Sequence, residues 1–312
     1  MNITAFTKEM IPDARALVHS NYLEECGHVQ ALPGDILPPA LEDLAGSGLS
    51  VAAVEDGRLL GFLGAYGPWK PVFHTRDTAG VFSPLHAHGV QQENRFRIWQ
   101  RLYQAAAERW VEAGAASHAI TLHVHDAVAK EALYLYGFGV RCMDLIRPVE
   151  EMEAASGWQC RELPATQHSR LAPLRRALTE HLGDSPCFMK HDPAWVEEWI
   201  ARKEQEGPRV FVAEKNGQVV AFMEVDSEGE NYAVCTPGTL NICGAYALPE
   251  YRGCGAAQAL LAYMLHTFKA EGVLRLGVDC ESINPTALGF WSKHFQAYTH
   301  SVVRRVDEWA VR

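Results

Sequence analysis

Apolar and polar residues alternate, then cycle with helical period, then alternate again, and the chain runs this programme twice. Ala53-Val-Glu-Asp-Gly-Arg-Leu-Leu-Gly-Phe62 matches Ala213-Glu-Lys-Asn-Gly-Gln-Val-Val-Ala-Phe222 at an offset of 160. Each stretch sets β-rich arms around Asp56-Gly57 or Asn216-Gly217, pairs that favour a type I′ turn, and so predicts a hairpin. Upstream of each hairpin a short strand-like segment precedes a helical pattern, over residues 13–23 and 169–182. Downstream, residues 99–113 and 257–270 predict amphipathic helices, followed by strands over 118–125 and 273–279. The order β-α-β-β-β-α-β therefore occurs twice. The charged, small-residue segment 149–157 sets the boundary between a first domain, 1–150, and a second, 157–312.

A length of 312 residues agrees with two domains, each large enough for its own core. Formal net charge is −10, and no basic block of the kind that tracks nucleic acid is present, so a nucleic-acid partner is not expected. An acidic balance is compatible with cationic, amine-bearing substrates. No apolar run reaches the ~18–20 residues of a membrane span, and the N-terminus lacks the basic and apolar regions of a secretory signal. The eight cysteines show no Cys-x-x-Cys spacing. Several lie in apolar strand-like runs, which fits reduced, buried thiols in a cytoplasmic protein.

The most chemically specific stretch is Pro249-Glu-Tyr-Arg-Gly-Cys-Gly-Ala-Ala-Gln-Ala259. It joins an apolar strand, 240–248, to the helix predicted from residue 257. A glycine-bearing turn at that place leaves the first helical amides unpaired, with the positive end of the helix dipole behind them, and a phosphate fits there. No Lys-Ser/Thr pair follows at Walker spacing, and no third glycine completes a dinucleotide fingerprint. A tight turn needing small residues would leave the same trace.

What remains is Arg252-x-x-Gly255-x-Ala257 directly after an apolar strand. It resembles the acetyl-CoA pyrophosphate loop of the GNAT superfamily of N-acetyltransferases, Gln/Arg-x-x-Gly-x-Gly/Ala. Asn284-Pro-Thr-Ala-Leu-Gly-Phe-Trp291 is similar to that family's second motif, Asn-x-x-Ala-x-x-x-Tyr. The resemblance implies an α/β fold of two tandem GNAT-like domains, each a mixed twisted sheet flanked by helices. It also implies acetyl-CoA as co-substrate. Backbone groups of Ala245, Tyr246 and Ala247 would bond the pantetheine arm. Amides of Gly253, Cys254, Gly255, Ala256, Ala257 and Gln258, with Arg252, would hold the pyrophosphate. Asn284, an N-cap with Pro285 behind it, would contact the pantetheine; capping alone would also explain it.

The chemistry beyond binding is less fixed. Trp291 stands where the family has the tyrosine that protonates the departing thiolate, and indole cannot serve as that acid. Tyr298 is the nearest phenol; departure of an unassisted thiolate is an equal alternative, since a thiol pKa near 8.5 makes a fair leaving group. For the base, Glu224 is the first candidate, sharing a strand face with Asp226, against the alternative of a solvated strand end. Asp279 and Glu281 are weaker candidates. His86-x-His88 and His123-x-His125 could bind metal, but no carboxylate or cysteine pattern accompanies them, and no metal is expected. Setting Asn94–Trp99 against Arg252–Ala257 leaves the first half without glycine and with bulky Phe96 and Ile98, so that half is read as degenerate for CoA. The leading expectation is an N-acetyltransferase acting on a small-molecule or peptide amine. The competitors are a non-catalytic acetyl-CoA-binding regulatory module and a nucleotide-phosphate binder.

Overall fold

The computed structural model describes residues 1–311 except Asp35, His74 and Glu206. Compactness divides the chain into two units. The first comprises Met1–Asp144 with Asn231–Ala233 and Gln296–Arg312, and the second Leu145–Glu230 with Val234–Phe295. Among the described residues no helix is long and apolar enough to cross a membrane.

In the first half the elements run β1 (Asn2–Ala5), α1 (Ile11–His28), α2 (Glu42–Gly46), β2 (Val51–Glu55), β3 (Arg58–Leu63), β4 (Tyr66–Trp69), β5 (Gly80–Ser83), β6 (His88–Val90), α3 (Arg95–Glu112), β7 (Ser117–His123), α4 (Ala127–Tyr134) and β8 (Gly139–Pro148). The second half follows with β9 (Gln159–Leu163), α5 (Ala172–Gly183), α6 (Pro193–Gln205), β10 (Arg209–Lys215), β11 (Gln218–Asp226), β12 (Thr239–Ala247), α7 (Ala256–Ala270), β13 (Arg275–Glu281), α8 (Pro285–His294) and β14 (Gln296–Arg305). The doubled β-α-β-β-β-α-β order is present and is followed in each half by a further helix and strand, α4-β8 and α8-β14. α2 and β4 are inserted in the first half, where β5 and β6 stand for one strand, and α6 in the second. Both hairpins form as their turn residues predict. Asp56 and Asn216 take positive φ of 49° and 52°, each followed by a left-handed glycine.

The units differ from the expected domains at residues 145–150, at Asn231–Ala233 and at the C-terminus. Residues 296–312, expected with the second domain, belong to the first unit, because β14 pairs antiparallel with β7 from Thr299↔His123 to Arg305↔Ser117. The alternating pattern of residues 296–305 specifies a strand but not which edge receives it.

In the first unit, β1, β2, β3 and β6 form one run of antiparallel pairs. The opposite faces of these strands meet two helices. Leu102, Tyr103, Ala106 and Trp110 of α3 cover Val51, Ala53 and Leu60, while α1 covers the face carrying Phe62, which stacks on Phe6 at 4.9 Å. In the second unit, hydrogen-bonded neighbours run β13-β12-β11-β10-β9. β11 is buried along seven successive residues, Val219–Val225, as a central strand covered on both faces must be. Val210, Val212 and Phe222 pack under Leu171, Leu174 and Leu178 at the start and along the length of α5. On the other face Phe211 meets Phe268 of α7 edge-on at 5.3 Å.

Candidate active site

The site is made by two strands that part company. β12 and β13 pair in parallel from Thr239↔Arg275 to Ile242↔Val278 and then stop, although β12 continues to Ala247 and β13 to Glu281. On its other side β12 stays with β11, with Gly244, Ala245, Tyr246 and Ala247 opposite Glu224, Met223, Phe222 and Ala221. A register shift there leaves Cys243 as a bulge residue. Among the described residues, the gap-facing edge of residues 243–247, half-buried apart from the exposed Cys243, has no strand partner. A cavity of about 610 Å³ opens along this edge.

The glycine-bearing loop after β12 closes one end. Leu248 N–H still bonds Val220 O at 2.9 Å, and the chain then turns through Pro249–Tyr251. Gly255 is the N-cap of α7 with φ of 89°, a left-handed conformation that costs glycine nothing. It is also crowded: a Cβ there would stand 2.6 Å from Ala155 Cβ, in the linker that runs past the loop. Arg252 Nε donates to Ala247 O at 3.0 Å, and its guanidinium lies 5.2 Å from the Tyr246 ring centre. Residues 256–258, the open first turn of α7, line the same cavity. Of the cofactor-binding candidates, all but Cys254 line it. Cys254 is exposed, with its thiol 3.6 Å from Arg252 O.

The opposite wall is the start of α8 and the end of α5. Asn284 Oδ1 accepts from Ala287 N–H at 3.3 Å, the N-cap bond its position predicts, and from the Thr286 hydroxyl at 2.7 Å. Trp291 lines the cavity and is itself buried, edge-on to Phe290 and Phe295. His181, in the last turn of α5, also lines the cavity, and its Nε2 lies 3.3 Å from Thr286 Oγ1. Burial holds the imidazole pKa below its ordinary 6.5, and Arg252 pushes the same way, so the ring is neutral at pH 7. No motif or spacing marks His181 in the sequence; only the fold brings α5 to α8.

Neither sequence-predicted catalytic residue reaches this cavity. Glu224 is buried on β11, where Oε1 accepts from Arg175 Nε at 2.8 Å and Nη2 at 2.7 Å, and Lys203 Nζ stands 3.5 Å from Oε2. Oε1 thus ties the sheet to α5, while Oε2 is buried without a hydrogen bond, and Glu224 does not line the cavity. Tyr298 lies on β14 in the first unit, 1% exposed, its hydroxyl accepting from Asn231 Nδ2 at 2.9 Å. The strand pairing that carries residues 296–305 to β7 takes it there. Among the described residues no group of histidines, cysteines or carboxylates has the geometry to hold a metal ion.

The first unit's counterpart of the loop is shifted by three from the sequence alignment. Asn94 is the left-handed N-cap of α3, with φ of 55°, and so corresponds to Gly255, which sets Gln91–Phe96 against Arg252–Ala257. Arg95, where the second half has Ala256, saturates its guanidinium on Glu24, Asp126 and the carbonyls of Val90 and Gln91. Asp126 is the N-cap of α4, the place Asn284 holds in α8. The gap itself differs too. The single bulged strand β12 is replaced by two pieces, β5 paired with β7 and β6 paired with β3, and His88 Nε2 contacts Thr121 O at 2.6 Å across the break.

Residues 175–295 match the family model described as Acetyltransferase (GNAT) family. A search of curated proteins gave no match. Among solved structures, the chain is similar to a GCN5-related N-acetyltransferase from Sphaerobacter thermophilus, with 14% identity, a TM-score of 0.57, and coverage of 97% of this chain and 95% of that one. It is similar to a GNAT-family acetyltransferase from Colwellia psychrerythraea, with 13% identity, a TM-score of 0.51, and coverage of 98% and 100%. It also resembles a glucosamine N-acetyltransferase region of a fungal multi-domain β-N-acetylglucosaminidase, at 14% identity and a TM-score of 0.51, covering 97% of this chain and 38% of that one. At these identities the likeness is one of fold.

Proposed function

We propose that the second unit, whose residues 175–295 match the GNAT acetyltransferase family model, binds acetyl-CoA and transfers its acetyl group to a primary amine by direct attack. The observation that carries this reading is the unpaired edge of β12. Residues 243–247 leave β13 and open onto a cavity that ends at the N-terminus of α7. A pantetheine arm, whose amides alternate donor and acceptor, fits such an edge as an added strand does. The pyrophosphate then meets the amides of residues 255–258 at the positive end of the α7 dipole. A β12 amide near Tyr246 would polarise the thioester carbonyl and stabilise the oxyanion as it forms. The acceptor is a small-molecule or peptide amine.

Trp291 favours a second reading, an acetyl-CoA-binding module without turnover, since the tyrosine position holds no acid. One experiment separates the two. Acetyl-CoA binding is measured by calorimetry, and thiol release is followed with spermidine, glucosamine, tyramine and a lysine-containing peptide as acceptors. Tight binding with amine-dependent thiol release supports the transferase. Binding without release by any acceptor supports the module, and absence of binding contradicts both.

A further inference from the structure

We infer that His181 is the proton-transfer residue of this site, filling the place that Trp291 leaves vacant; the inference rests on the transferase reading above. The cavity wall offers few groups able to move a proton near neutral pH. Glu224 and Tyr298 are engaged elsewhere, and Trp291 is an indole. His181 lies in the wall itself, beside the two elements that bound the thioester end, with its ring 6.1 Å from the Tyr246 ring on β12.

Its hydrogen bonds define its state. Ala287 N–H fixes the Asn284 amide with Oδ1 toward α8, so Thr286 must donate its hydroxyl proton to that oxygen. Thr286 Oγ1 is then an acceptor, and the 3.3 Å contact to His181 Nε2 is made by a ring N–H. The neutral ring therefore carries its proton on Nε2, which leaves Nδ1 as its basic nitrogen. Arg252 in the loop disfavours a charged ring, while Asp184 after α5 and the Asn284 side chain favour one. Lys293 and His294 of α8 line the same cavity. A base with a pKa under 6.5 is ready at pH 7 without being over-strong.

In the reaction, the amine nitrogen forms its bond to the acetyl carbon and loses a proton to His181. The C–S bond breaks with its electron pair on sulfur, and the imidazolium returns the proton to that thiolate. One proton leaves nitrogen and one arrives on sulfur, so the enzyme is unchanged. Like other single acid–base groups, the residue should contribute roughly 100-fold or more to turnover.

The test is the pH profile of kcat/KM with whichever of the four amines turns over, in wild type and His181→Gln. The wild type should lose activity below a pKa under 6.5. The variant should bind acetyl-CoA as wild type does, turn over roughly 100-fold more slowly and lack that acid limb. His294→Gln, removing the cavity's other histidine, should keep the limb. Imidazole NMR gives a readout independent of any acceptor. The His181 ring resonances should differ between the CoA and desulfo-CoA complexes, because the sulfur lies beside the ring. An unchanged acid limb in His181→Gln, or ring resonances indifferent to the sulfur, overturns the assignment while leaving the transferase intact. Loss of all turnover in the wild type speaks against the function and not against the residue.

Discussion

The two halves share an element order and diverge at one place, the junction of the fourth strand with the helix after it. In the second half that junction is made of absences. Gly255 and Ala256 put almost no side chain over the helix N-terminus, and β12 keeps an edge that β13 does not use. In the first half every one of those absences is filled. Asn94 holds the left-handed turn, Arg95 answers the carbonyls and Asp126 with its own guanidinium, and His88 reaches Thr121 across the break in the strand. Side chains in the first half thus satisfy polar groups that the second half leaves open. The cost of an unpaired buried polar group makes the two solutions exclusive.

That comparison can be broken by exchange. Converting Gly255, Ala256 and Ala257 to the Asn, Arg and Phe of the first half should weaken acetyl-CoA binding on the order of 100-fold or more. Two or more charge-assisted bonds at ~1.5–3 kcal/mol each are lost, and calorimetry reads the change. The reciprocal exchange, Asn94→Gly with Arg95→Ala and Phe96→Ala, should not create a second site, because the strand there is split. It should instead leave Glu24 short of its cation.

Next in size is the buried pair of the second unit. Arg175 is 0% and Glu224 1% exposed, so Arg175→Ala strands a carboxylate in the interior. The expected loss is about 3–5 kcal/mol in denaturant unfolding. A variant of full stability with abolished chemistry would restore Glu224 as a base.

The histidines sharpen the contrast through pH. Burial pushes the pKa values of His88 and His118, both in the first unit, down to about 4. Their folded values lie below the unfolded 6.5, so the unfolded chain binds protons first as pH falls. The stability they support is therefore complete above pH 6.5 and is lost as pH falls from there to about 4, on the order of 3 kcal/mol per histidine. His125 behaves oppositely. Burial alone would lower its pKa, but Glu25 and Glu24 raise it, so its contribution is present below 6.5 and fades as pH rises through the raised value. Unfolding followed from pH 7 to 4 should show a net loss of stability in the first unit, reduced in His88→Phe; a flat profile would contradict this. The smallest effect is expected at Cys254, whose exposed thiol is not part of the cavity lining but sits between the lining residues Gly253 and Gly255. Cys254→Ser should bind acetyl-CoA nearly as wild type, while iodoacetamide at that thiol should hinder entry. Unchanged affinity after labelling would contradict the latter.

The sequence carried the local signals well. Asp56-Gly57 and Asn216-Gly217 announce their hairpins, and Arg252-x-x-Gly255-x-Ala257 announces the loop, because both depend on backbone conformations that few residues allow. Asn284 announces its cap for the same reason. What depends on long-range pairing was not legible. Nothing in residues 296–305 says that they pair with β7, and so Tyr298 was expected near a site it does not reach. Asn94 can adopt the left-handed turn that Gly255 uses, which hid the true register of the two loops by three residues. His181 belongs to no pattern at all. It acquires a role only when α5 lies beside α8.

The central claim is that this chain carries one acetyl-CoA site, in the second unit. Isothermal titration of the full chain with acetyl-CoA tests it most directly. One molecule bound per chain, with binding lost when Gly255, Ala256 and Ala257 take the first half's residues, is the predicted result. Two molecules per chain, or one that survives that exchange, would contradict it.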